Sequence, residues 1–512
     1  MKPLWRPWGA LAIAALNFSV LGVLYAMVLH NAGEFAYPLD DTYIHEVVAW
    51  NLVENGTWGI NPGQFASASS SPVWVLLLAA GFALFGRHVG FALILAVLAS
   101  VGSLLVADRW LWRSGASSRR RILGLFCVSV FTPLPVMAGL GMEHTLQLLV
   151  TLALAATVER ASVERTRSPL LWGGVLGLCA IAPLIRYEHC ILIAFAGAWL
   201  IWRSQRTLGI MMWVVGALAV LGFGLWSIGQ GASFLPNGLL MKSMFPYRFV
   251  ENIWTNAQQG AAVWLLVITV VWTAPRRLDS RWLFALVAAI HLIFAGTGWY
   301  YRYEAYLMGW GSLLLSMHFR LDRQRQVWFV LVILLTIIGG KRSIDAIRFF
   351  QGRCVYIFDV KVQLARALDE VAPDTRLALH DIGAMAWYTD VHIIDIAGLG
   401  DDDITRLSAS HRFTGQTISE AVFEREGGVG FATATWMSHD PPPEWVPIAA
   451  LCWGIEPMQP ALEPLIAYEL APSGAETIRR WLPAAAAKMD GRGWVVSTGL
   501  SAISITADDC VD

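Results

Sequence analysis

Apolar stretches near residues 9–29, 73–86, 89–107, 122–139, 144–158, 170–185, 189–202, 209–228, 260–274, 282–298, 303–317 and 327–340 alternate with short polar connections. Apolar runs of this kind predict helices that cross or enter a membrane. Beyond residue 340 the pattern changes, and Pro and charged residues return. Residues 359–371 read as an amphipathic helix, 376–380 and 391–396 as short strands, and Asp381-Ile382-Gly383-Ala384 as the turn into a helix between them. Strand–helix–strand succession predicts a small α/β domain. The expected fold class is a mainly α polytopic membrane protein over 1–340, with a C-terminal α/β domain over 341–512.

The connecting loops set the orientation. Residues 30–71 contain no Lys or Arg, whereas basic clusters follow at Arg109 and Arg113, Arg119 to Arg121, Arg160 to Arg167, Arg203 and Arg206, Arg276 to Arg281, and Arg320 to Arg325. Cytoplasmic loops carry such an excess. The clusters share one side only if stretch 73–86 does not cross. As a helix it spans about 21 Å, short of the roughly 30 Å hydrocarbon core. It is therefore read as re-entrant or interfacial, inside a first outer loop over 30–88. Eleven transmembrane helices, a cytoplasmic N-terminus and an extracytoplasmic C-terminal domain are expected.

Composition sharpens this picture. The 512 residues are 56% hydrophobic and only 15% charged, with a mean hydropathy of +0.53. The net charge of −1 leaves no basic face for nucleic acid. The basic start (Lys2, Arg6) and the apolar stretch from Gly9 to Leu29 read as an uncleaved first helix. Cys127, Cys179 and Cys190 read as buried thiols. One disulfide is open to Cys354, Cys452 and Cys510 if the C-terminal part is extracytoplasmic. No metal-ligand spacing is present; a divalent cation stays open as an alternative.

The candidate chemistry starts at Asp40-Asp41, adjacent carboxylates just outside the first span. Such a pair suits a general base, or a base beside a cation ligand. The alternative reading is helix capping, since Asp is a favoured N-cap. His45 lies one turn on. The topology brings Glu143, Arg186, Glu188, Lys242, Arg248, Arg302 and Glu304 to the same outer face, where charges of both signs at one depth read as a polar site. Arg186-Tyr187-Glu188 and Tyr301-Arg302-Tyr303-Glu304 repeat one Arg-Tyr-Glu motif. Arginine's planar fork suits phosphate, and an internal Arg–Glu pair is the alternative. Ser67 to Ser71 feed the re-entrant helix, as a phosphate-binding turn or a flexible linker.

These motifs resemble, in order, those of the GT-C superfamily of membrane glycosyltransferases that use polyprenyl-phosphate sugars. Similarity is greatest to bacterial members like the mycobacterial terminal arabinofuranosyltransferases. Asp40-Asp41, Asn51-Leu52, Gly56, Asn61-Pro62-Gly63 and Ser71-Pro72-Val73-Trp74 carry it in the first loop. Further matches are Gly141-Met142-Glu143-His144, Leu235-Pro236-Asn237-Gly238 with Lys242, Asp381-Ile382-Gly383-Ala384, and Ile394-Asp395-Ile396-Ala397-Gly398-Leu399. Departures at Gln64 to Ala68, His144 and Tyr187 bear on the donor sugar and the acceptor.

The resemblance implies a GT-C-like fold, a base within Asp40-Asp41 (Asp40 favoured), and a periplasmic C-terminal domain at a bacterial inner membrane. The expected reaction is inverting transfer of a sugar from a polyprenyl-phosphate donor to a cell-envelope glycan or glycolipid acceptor. His45, Glu143, Arg186, Glu188, Lys242, Arg302 and Glu304 are the expected substrate-binding residues, among membrane lipids. The alternative is a transporter or flippase of envelope precursors, in which the same charges bind and release a substrate.

Overall fold

The computed structural model describes residues 4–164, 168–242, 260–274, 279–298, 300–318, 325–371, 374–410, 414–433, 445–453, 465–470, 472–489 and 494–498. Eleven helices precede residue 243: α1 (Trp8–Ala32), α2 (Asp40–Asn55), α3 (Pro72–Phe85), α4 (Phe91–Arg113), α5 (Ser118–Phe131), α6 (Leu134–Gly139), α7 (His144–Glu164), α8 (Pro169–Ile185), α9 (His189–Trp202), α10 (Arg206–Gly229) and α11 (Asn237–Lys242). Then come α12 (Ala261–Trp272), α13 (Ser280–Phe294), α14 (Ala305–His318) and α15 (Arg325–Tyr356). Among the described residues, α1, α4, α7 and α10 are long and apolar enough to cross a membrane, and α3, α8, α9, α12 and α13 are shorter apolar helices. The chain is a multi-pass membrane protein.

Local chemistry sets the helix ends. Pro72 opens α3, where its missing N–H costs no helical bond. Gly86, at φ 83°, stops it by donating to Phe82 O. The apolar stretch 122–139 is two helices, α5 and α6, and not the single one its hydropathy predicts. The break falls at Thr132-Pro133, because proline supplies no N–H to continue the ladder. The last apolar stretch also runs further than expected: α15 continues through 340 to Tyr356, about 48 Å in length. A helix longer than the bilayer core thus leads directly into the C-terminal part.

At one end of the bundle, basic residues gather. Trp5 Nε1 donates to Asp108, Arg121 Nε donates to the same carboxylate at 2.7 Å, and Arg109 lies over the Trp5 ring. The N-terminus, the end of α4 and the start of α5 therefore meet on one face. The helix ends carrying Glu143, Arg186 and Arg302 are the opposite ends of α7, α8 and their neighbours.

The C-terminal part begins with a wide π-helical segment, Ile357–Val362, and α16 (Gln363–Val371). Among the described residues six strands follow, β1 (Arg376–Leu379), β2 (His392–Asp395), β3 (Val429–Thr433), β4 (Val446–Trp453), β5 (Leu465–Glu469) and β6 (Trp494–Thr498), in the order β2-β1-β3-β5-β4-β6. The β2, β1 and β3 strands are parallel, with Leu377 opposite both Ile393 and Val429, and the others pair antiparallel. The short helix α17 (Gly383–Tyr388) joins β1 to β2.

This domain shares one apolar core with the first loop. Tyr43, Ile44 and Val48 of α2, Trp74 and Leu78 of α3, and Phe350 of α15 pack in the same buried cluster as Leu377, Ile393 and Val429. Asn61 clasps β2 on both sides, donating to Ile393 O at 2.8 Å and accepting from Ile393 N at 2.9 Å. Arg87, just past α3, donates to Trp387 O and stacks on that indole. Both flanks of α3 thus touch the C-terminal domain.

Candidate active site

The adjacent aspartates diverge. Asp40 does not cap its own helix; the residue at that position is Leu39, which offers no side-chain hydrogen bond. Its Oδ2 accepts from Gly383 N at 2.6 Å and its Oδ1 from Ala384 N at 2.9 Å. Asp40 therefore caps α17, on the C-terminal domain. Capping, the alternative reading of the pair, thus applies to a helix other than the one Asp40 opens. Close approach requires glycine here, since a Cβ at 383 would lie 2.1 Å from Asp40 O.

Around Asp40 the domain places Asp381 and Lys361, whose Nζ is 3.1 Å from Asp381 Oδ2. His380 Nε2 is 3.5 Å from the same oxygen. Burial, then the nearby Asp381 charge, pushes Asp40 up to about 7, against the pull of Lys361 and the two backbone N–H donors. Burial would raise Asp381 as well, but Lys361 and His380 draw it down to about 2. One acid stays ionised while its neighbour is poised near neutrality.

Asp41 turns the other way, toward the membrane helices. Its Oδ2 accepts from Arg302 at 2.6 Å. Arg302 is buried, donates also to Tyr303 Oη at 3.1 Å, and has Met142 Sδ beside Nη1. The Tyr303 ring lies 5.0 Å from the Arg302 guanidinium and 5.6 Å from that of Arg186, which links two ionic groups through one aromatic ring. Arg186 grips Glu188 at two points, 3.1 and 2.6 Å, and lies 3.2 Å from Glu143 Oε1 and 3.4 Å from Ser70 Oγ. His45 Nε2 is 3.4 Å from Glu143 Oε2, and its Nδ1 meets Ser69 Oγ at 2.9 Å.

The structure thus joins Asp41, His45, Glu143, Arg186, Glu188 and Arg302 in one network, with Asp40 at its rim. Glu304 stands apart. It accepts from Gly298 N at 3.0 Å and lies 2.9 Å from buried Arg342. The second Arg-Tyr-Glu motif therefore does not pair internally as the first does. The Lys242 side chain, Arg248 and Cys510 lie outside the described residues, as does the Cys452 side chain; Cys354 is a buried free thiol.

Several buried polar atoms of this region have no hydrogen-bond partner among the described residues. They include both ring nitrogens of His144, the Gln147 amide, Ser71 Oγ and Arg302 Nε. His144 Nδ1 is 4.0 Å from Glu143 Oε1, beyond hydrogen-bond reach. Orphaned buried polar atoms are rare in native proteins and call for a ligand or water. No three His, Cys, Asp or Glu side chains group as metal ligands among the described residues. Sequence reading missed Lys361 and Arg342, and gave Tyr303 no role beyond its place in the repeated motif. The Asp381-to-Ala384 string was its pointer to the domain residues around Asp40.

A family model for a domain of unknown function (DUF8728) matches residues 351–483. No curated protein sequence matches the chain. Two structures of ArnT from Cupriavidus metallidurans, one bound to undecaprenyl phosphate and one in the apo state, are similar with TM-scores of 0.48 and 0.49. Their identities are 10% and 12%, and each match covers 90% of this chain and 98% of the other. The apo oligosaccharyltransferase of Archaeoglobus fulgidus is similar with a TM-score of 0.51 at 13% identity, covering 85% of this chain and 73% of that one. That last likeness, together with the bundle of apolar helices and the mixed sheet, identifies the chain's architecture as the GT-C fold.

Proposed function

We propose that this protein is an inverting glycosyltransferase that moves a sugar from a polyprenyl-phosphate donor to a cell-envelope glycan or glycolipid at the periplasmic face of a bacterial inner membrane. The observation that carries this reading is the Asp41–Arg302–Tyr303–Arg186–Glu143 network, in which Arg302, Arg186 and Glu143 are buried and Arg302 keeps an orphaned Nε, beside a carboxylate poised near neutrality. Such a place can hold a charged headgroup at membrane depth and take a proton at its rim.

In the reaction, the acceptor oxygen forms a bond to the anomeric carbon while the bond from that carbon to the phosphate oxygen breaks. Asp40 takes the acceptor's proton; each of its oxygens already accepts one N–H and keeps a second lone pair. A base with a pKa near the working pH is the efficient one. Arg302, through its orphaned Nε, and Arg186 stabilise the charge that gathers on the departing polyprenyl phosphate. Asp41 holds the Arg302 fork in place and is a positioning residue.

The test is mass spectrometry of lipids kept through gentle detergent purification. A retained polyprenyl phosphate, bare or glycosylated, is expected. Only bulk phospholipid, even after polyprenyl phosphate is added, would overturn the donor assignment and favour a transporter.

A further inference from the structure

A cleft of about 630 Å³ opens on the C-terminal domain's side of the first loop. Its walls are the chain entering α2 (Glu34), the turn between α3 and α4 (Arg87), α16 (Arg366, Asp369) and the end of α17 (Tyr388, Asp390). Arg366 clamps Glu34 with two hydrogen bonds of 2.9 and 2.8 Å, and its guanidinium lies 5.2 Å from the Tyr388 ring. Asp369 Oδ1 accepts from Asp390 N. Tyr388 in turn packs against Tyr43, three residues past Asp40 on α2.

The lining selects a chemistry. Half-buried aromatic faces beside carboxylates and arginine forks suit a polyhydroxylated ring, which offers C–H groups to stack and hydroxyls to donate and accept. Three carboxylates against two guanidiniums leave a net negative lining, which disfavours a phosphate or a uronate. Exposed charges on most walls disfavour an acyl chain. The position is also telling: α17 presents its start to Asp40 and its end to the cleft, about 9 Å apart along six residues.

We infer that this cleft is an acceptor subsite that holds a neutral sugar unit of the growing glycan, next to the unit whose hydroxyl reaches Asp40. The inference rests on the transferase reading for the word acceptor, and on the cleft alone for the sugar.

Saturation-transfer difference NMR on the full-length protein in nanodiscs tests it, with maltotriose, mannotriose, galactotriose and arabinotriose as neutral probes and trigalacturonate as the anionic one. At least one neutral trisaccharide should bind, and Asp390→Asn should weaken it at least fivefold. Asp390 is exposed, so this variant keeps the fold; Tyr388→Ala, which also loses packing, should give a larger loss. Binding by none of the neutral probes, preference for trigalacturonate, or wild-type binding in the Asp369→Asn/Asp390→Asn double variant would overturn the subsite. The measurement needs no transfer. Sugar binding by a protein that retains no polyprenyl phosphate would keep the sugar site and remove the transferase; lipid retention without sugar binding would remove only the subsite.

Discussion

Asp40 directs both carboxylate oxygens to the backbone of a helix more than three hundred residues further along the chain. This changes how the residue must be tested. Asn serves well as an ordinary N-cap, but it has a single acceptor atom and would turn an amide donor toward one of two waiting N–H groups. Asp40→Asn therefore perturbs docking as well as proton transfer, and loss of activity alone says little. The pH profile separates the two. With its carboxyl raised to about 7, Asp40 is protonated below that pH, and a base must be ionised to work. Transfer should fall about tenfold per unit as pH drops below about 7. Asp381 contributes to the upward shift, so Asp381→Asn should move this acid limb to lower pH while leaving the rate on the plateau within a fewfold. An acid limb that stays near 7 in Asp381→Asn would mean that another group titrates.

At the scale of elements, α3 makes the sharpest claim. Its 14 residues run between Pro72 and Gly86, and both flanks meet the C-terminal domain. In a background with the native cysteines replaced, Gly63→Cys and His88→Cys should both react with a membrane-impermeant maleimide from the outer face. Arg119→Cys should react only after permeabilisation. Protection of position 88 from the outside would mean that α3 crosses. This element was legible in the sequence because proline, glycine and length are local signals, and so were β1, β2 and the turn into α17. The break at Thr132-Pro133 was local too, yet continuous hydropathy hid it. Pairings between distant elements could not be read in the same way. Arg186 and Arg302 sit in the same three-residue motif, but only the first holds its own glutamate. Around the second, Tyr300 and Tyr301 adopt positive φ, and α15 brings Arg342 to Glu304. Nothing in spacing along the chain says which helix end will arrive there.

Over the whole molecule, the proposed reaction site draws on two parts of the chain of different composition. Membrane helices supply Arg186, Glu143 and Arg302, while the sheet domain supplies the N–H groups, Lys361 and Asp381 that set Asp40. Lipid binding and proton removal should therefore be separable by a change that touches only the seam. Gly383→Ala is such a change. Its added methyl would meet the Asp40 carbonyl at 2.1 Å and Asp40 Oδ2 at 3.0 Å; the carboxylate could rotate, but the backbone carbonyl cannot move without shifting the start of α2 or α17. The shared core across α2, α3 and the sheet domain is large, so the domain should stay docked with a local displacement. Misplacement of a reacting group on this scale is costly to rate. Transfer is expected to fall at least tenfold, while polyprenyl phosphate retained by the variant stays within about twofold of wild type, because Arg186 and Arg302 do not contact residue 383. Equal loss of lipid and transfer would mean that the domain and the membrane site form one indivisible unit. Full activity would mean that the Asp40–α17 contact is structural alone and that the base lies elsewhere, with Asp41 next in line.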